Sequence, residues 1–110
     1  MKAAIIDKPG NLEEVLEIQE IQLPEPKEGQ VRIKVHAANI NPSDIMFAQS
    51  LYGIRPKYPS GVGFEGAGII DKVGANTTIK VGTRVSFTTI GSWAEYAIAD
   101  AHTLIILPDE

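Results

Sequence analysis

The chain has no cysteine among its 110 residues, so disulfides and thiolate-bound metals are excluded from the outset. It has no apolar run long enough to span a membrane, and the run that opens "MKAAIIDKPG" is too short for a signal peptide. Basic clusters are missing as well. With a net charge of -4 and a pI near 5.1, a phosphate backbone is not an expected partner, because non-specific nucleic-acid binding rests on clustered Lys and Arg. The two histidines, His36 and His102, lie far apart, and a solvated role is expected for each rather than metal binding. Repeats, linkers and low-complexity segments are absent too. The expectation these absences leave is a single cytoplasmic domain spanning 1–110, with 44% hydrophobic residues, long enough to bury one core.

What is present is mostly period-two patterning. Lys2 to Asp7 is a short apolar run and Val15 to Leu23 alternates. "VRIKVHA" alternates cleanly, with Val31, Ile33, Val35 and Ala37 on one face and Arg32, Lys34 and His36 on the other. Six of the fourteen acidic residues lie between Glu13 and Glu28, interleaved with apolar ones, and are read as a solvated strand face. "GAGIIDKV", "TRVSFTT", "WAEYAIAD" and "TLIILP" come later. Seven or so short strands at close spacing predict a sandwich or a partly open barrel.

One helix is expected to interrupt the strands. In "NPSD", Asn41 suits the N-cap, Pro42 the first helical position and Asp44 the third, where a carboxylate reaches back to the free N–H groups. The helix should continue to a stop near Gly53, placing Ile45, Ala48 and Tyr52 on one stripe. Gly61, Gly63, Gly66 and Gly68 come next, within eight residues, and mark bulges or close backbone approaches. "GVGFEG" fits the dinucleotide pattern G-x-G-x-x-G, but no strand precedes it and a strand-like sequence succeeds it, so no helix N-terminus would face a pyrophosphate.

Taken together and in order, "NINPSDI", "LYG", "YPSGVGFEGAGIIDKVG", "VGTRVSF" and "GSWAEYAIAD" resemble the N-terminal, GroES-like catalytic domain of the zinc-independent medium-chain dehydrogenase/reductase superfamily. Its nearest branches are the NADPH-dependent quinone oxidoreductases and the 2-enoyl thioester reductases. The resemblance covers the whole chain and implies a mainly β fold, a GroES-like partly open barrel with one short helix near residues 42–51. Zinc-binding relatives carry a cysteine where Asn41 stands and a histidine where Phe64 stands, so no zinc is expected. Family members continue past the equivalent of "ILPDE" into a Rossmann domain, the main NADPH site, which this chain does not include. The parent protein is expected to be a homodimer.

Without a Lewis acid, hydride transfer favours acceptors that delocalise the developing charge, such as a quinone or an enoyl compound. Tyr52 matches the tyrosine that the resemblance to the enoyl reductases makes the proton donor, and a phenol is a competent one; its alternative is packing on the helix stripe. Asn41 and Ser43 match positions near the nicotinamide, although Asn41 equally suits the cap. Glu65 matches a position beside the active site, with Arg55 or Lys57 as ion-pair partners or, alternatively, as contacts for an anionic substrate. Met46, Phe47, Tyr52 and Phe64 are candidates to line a substrate cleft, and Trp93 is a core or interdomain residue. Thr83 stands where the family usually has an aspartate. Two other readings compete with the reductase: a stand-alone GroES-like module that binds or oligomerises, and an apolar-ligand binder without turnover.

Overall fold

The computed structural model describes residues 1–108. The period-two runs form eight strands, β1 (Lys2–Ile6), β2 (Leu16–Glu20), β3 (Gln30–Ala38), β4 (Ser60–Gly61), β5 (Glu65–Val73), β6 (Arg84–Thr88), β7 (Tyr96–Asp100) and β8 (Ile105–Ile106). They make two antiparallel sheets, three-stranded β2-β1-β4 and five-stranded β7-β3-β5-β6-β8. Neither closes on itself. The segment ahead of β7 bridges the two: Ala4 N–H donates to Trp93 O, Glu95 N–H to Lys2 O and Val35 N–H to Glu95 O. The result is a partly open barrel, one of the two forms that the strand spacing predicts and the one that the family resemblance implies.

Two apolar clusters hold it together. Val31, Ile33, Ile70, Val85, Phe87, Ala97 and Ala99 fill the five-stranded sheet's inner face. Ile6, Val15, Phe47, Ala48 and Val62 form the second, with Phe64 and Trp93 packed against it. The glycines behave as expected. Gly63 has φ +95°, and a Cβ there would collide with Ser92 Oγ and the Trp93 ring; one on Gly68 would collide with Lys34 O.

Several details differ from the sequence expectation. The alternation in β3 holds at Val31 and Ile33, but Ala37 is exposed and Arg32 is only 8% exposed. Of the two register shifts, the one between Val35 and Ala37 leaves His36 unpaired against β5 and turns Ala37 outward, because a bulge adds a residue to one strand and turns the side chains beyond it. The one between Arg32 and Ile33 adds its residue to β5, and Arg32 is covered by its partners. Asp71 is that extra residue, and its carboxylate accepts from Arg32 Nε (2.9 Å) and Nη2 (3.1 Å). Arg32 also donates to Pro24 O and Glu25 Oε1, and its guanidinium lies 5.6 Å from the Tyr96 ring centre. Glu25 is shared with Lys72.

The predicted strand from Val15 is shorter, because Leu12–Val15 forms a helical turn, α1. Glu14 N–H and Val15 N–H both donate to Asn11 O, and Glu13 and Glu14 occupy its first turn, where carboxylates suit the free N–H groups. Those two acids therefore belong to a helix, not to a strand face. Thr83 closes its own turn by donating from Oγ1 to Lys80 O at 2.7 Å.

Candidate active site

The second helix, α2 (Pro42–Ala48), begins where the sequence places it. Pro42 takes the first position, and Asp44 accepts from the Asn41 N–H at 2.7 Å. Asn41 and Asp44 form a capping box, and the Asn41 Nδ2 also reaches across to β5, donating to Glu65 Oε1 at 2.7 Å. Asp44 is fully buried, and its Oδ1 has no hydrogen-bond partner among the described residues.

The helix ends at Ala48, not near Gly53. Ser50 adopts φ 61°, its N–H donates to Phe47 O, and the Leu51 N–H donates to Met46 O. This double closure is the Schellman arrangement, with serine in the left-handed position usually held by glycine. Tyr52 consequently lies beyond the helix, so the expected stripe of Ile45, Ala48 and Tyr52 does not form. Ile45 is exposed, and the buried positions are Asp44, Phe47 and Ala48.

Phe64 organises the aromatic groups beyond the helix. Its ring meets Phe47 edge-on, with centres 5.1 Å apart and planes at 75°. On the other side Tyr52 lies 5.6 Å away, tilted by 37°. Phe47, expected to line a cleft, is instead buried beneath this stack, while Tyr52 stays 39% exposed. Phe64 also borders a hollow with Ile54, Thr88, Thr89 and Ile90. Ile90 had no signal in the sequence; it is carried there by the turn before Gly91, which has φ 110°.

The structure therefore joins four of the expected site residues: Tyr52 packs on Phe64, and Asn41 bonds to Glu65, the next residue along. Ser43 is half-buried and Met46 exposed on α2, and neither is tied to the other four by a hydrogen bond or ring contact among the described residues. Glu65 forms no salt bridge with Arg55 or Lys57; its partner is Asn41.

Phe64 offers no donor atom, and no group of three His, Cys, Asp or Glu placed to hold a metal ion occurs among the described residues. In "GVGFEG", Gly61 belongs to β4 and Glu65 opens β5, so no helix N-terminus aims at a phosphate there.

Comparison with known proteins fits this geometry. Residues 27–109 match the alcohol dehydrogenase GroES-like domain. The chain belongs to that family. Human quinone oxidoreductase is 42% identical to this GroES-like domain over 101 residues, covering 88% of the chain and 31% of that protein. The mitochondrial enoyl-acyl-carrier-protein reductase of Xenopus tropicalis is 29% identical over 99% of the chain and 32% of its own length. The fold superposes on the Escherichia coli quinone oxidoreductase complexed with NADPH with a TM-score of 0.91 and 32% identity, covering 98% of this chain and 33% of that one. These relatives place the domain in the medium-chain dehydrogenase/reductase superfamily. It spans about a third of the length of the relatives it matches.

Proposed function

We propose that this GroES-like domain forms the acceptor side of the active-site cleft in a cytoplasmic, zinc-independent, NADPH-dependent oxidoreductase that reduces a quinone or another conjugated carbonyl. In this reading residues 1–110 are the N-terminal catalytic portion of a homodimeric parent with a Rossmann domain, and the isolated chain has little activity. The observation that carries it is the 42% identity with quinone oxidoreductase.

Bound NADPH supplies a hydride, that is, two electrons and one hydrogen. Tyr52 supplies the proton that completes the reduction, passing it from the phenol to the atom left electron-rich and recovering one from solvent. Phe64 holds the Tyr52 ring from below, and Asn41 and Ser43 face the nicotinamide end. Glu65 orients Asn41, while Met46 and Phe64 border the acceptor. A donor-free Phe64 suits an acceptor that spreads charge by conjugation and needs no Lewis acid.

A second reading, a 2-enoyl thioester reductase, is favoured by the relative from Xenopus tropicalis and by a tyrosine available to protonate carbon. The test is NADPH oxidation by the natural protein carrying this domain, offered a benzoquinone, a 2-enoyl thioester and a simple ketone in turn. Turnover with either conjugated acceptor and none with the ketone is expected. Preferential turnover of the ketone would contradict the proposal, and the faster of the two conjugated acceptors selects between the readings.

A further inference from the structure

Between Asp44 and Glu65 the chain has no acidic residue, and its only charged side chains there are Arg55 and Lys57. In a chain of net charge -4, this is a local excess of positive charge, and the structure shows where it goes. Arg55 and Lys57 line one cleft of about 360 Å³ together with Phe47, Ile54, Pro56, Ser60 and Ile90. Neither cation enters a salt bridge among the described residues, although Arg32, Lys72 and the N-terminus all do.

The cleft adjoins the candidate active site. It shares Ile54 and Ile90 with the hollow under Phe64, and Phe47 stacks on Phe64, which stacks on Tyr52. Ile54, Pro56 and Ile90 present apolar surface above the buried Phe47, and the two exposed cations beside it have no carboxylate partner among the described residues. Apolar walls lower the local dielectric, so an anion placed there is attracted more strongly than in bulk water.

We propose that this cleft binds an apolar organic anion: the acceptor, or the part of it remote from the reacting atoms, carries a negative group that Arg55 and Lys57 neutralise. The pair then sets specificity, favouring anionic conjugated substrates over neutral ones of the same size. Arg55 offers a planar, two-pronged contact suited to carboxylate or phosphate oxygens, and Lys57 a point charge. The inference rests on the proposed function for its catalytic meaning, but the binding it predicts does not require turnover.

The test uses the 110-residue chain with two dyes of similar shape, anionic anilinonaphthalene sulfonate and neutral N-phenylnaphthylamine. Saturable binding of the anionic dye is expected, weakened by added salt. The double variant Arg55→Gln/Lys57→Gln should weaken it about tenfold, the scale of two partly screened ion pairs, with the neutral dye unchanged. Lys8→Gln, an exposed charge outside the cleft, should have no effect. Equal loss of both dyes in the double variant, or no loss of either, would overturn the proposal. Should the double variant not fold, salt-independent binding of the anionic dye to the native chain would overturn it equally. Salt-sensitive binding that the variant abolishes, in a parent that oxidises no NADPH, would preserve the anion site and discard the reductase reading.

Discussion

Ser50 shows how one residue's conformation moves a functional group. The start of α2 was legible because Asn41, Pro42 and Asp44 carry their own chemistry in the sequence. Its end was not, because the left-handed C-terminal position is normally read from glycine, and Gly53 drew the boundary too far. Serine in that position costs about 1 kcal/mol relative to glycine. Ser50→Gly is therefore expected to raise stability to urea by about 0.5–1 kcal/mol, part of the gain being offset by unfolded-chain entropy. A lower midpoint would mean that the Schellman closure does not limit the helix. The same early stop takes Tyr52 off the helix and onto Phe64. No residue pattern announces that, since ring contact between positions 52 and 64 depends on how the intervening loop returns.

Among the elements, β3 and β5 depart furthest from a regular alternation. The sequence assigned Arg32 to a polar face; Asp71, Glu25 and the Tyr96 ring cover it there, and the register shift beside it, which no periodicity encodes, lies in β5. Asp71, left extra by that shift, supplies two hydrogen bonds and raises the affinity of Arg32 for its proton. Removing one partner of a buried pair leaves the other uncompensated. Because Asp71 keeps about a third of its exposure, Arg32→Met is expected to cost about 2–3 kcal/mol, read from chemical denaturation. An unchanged midpoint would show that the pair is only a surface contact.

Glu25 links this network to Lys72, and the Lys72 hydrogen bond is the main cause that holds its carboxyl below the ordinary value of 4.5. A depressed carboxyl contributes stability above its unfolded value and loses it as pH falls through the folded one. Stability should therefore hold from neutral pH down to about 5 and decline below 4.5. That acid decline should be shallower in Glu25→Gln; an identical profile would remove Glu25 from the acid response.

For the whole molecule, the strand spacing was enough to predict a sandwich or a partly open barrel, because alternation fixes which faces are buried, and the family resemblance singled out the barrel. The pairing order β7-β3-β5-β6-β8 was not, since it depends on long-range register. Apolar side chains stay uncovered around the candidate site, with Ile40, Leu51, Ile54 and Ile90 all exposed. A cleft-forming domain presents such a surface to its substrate and to the rest of its protein. Tyr52, half out of its aromatic stack, stands among them, and in the proposed reading its phenol gives the proton to a bound acceptor. The most direct test is turnover of a conjugated acceptor with NADPH by the parent protein and its Tyr52→Phe variant, which keeps the ring on Phe64 and removes only the hydroxyl. A fall in kcat of about 100-fold is expected, the scale of a lost general acid, with KM little changed. Undiminished turnover in the variant would contradict the role of Tyr52 as proton donor.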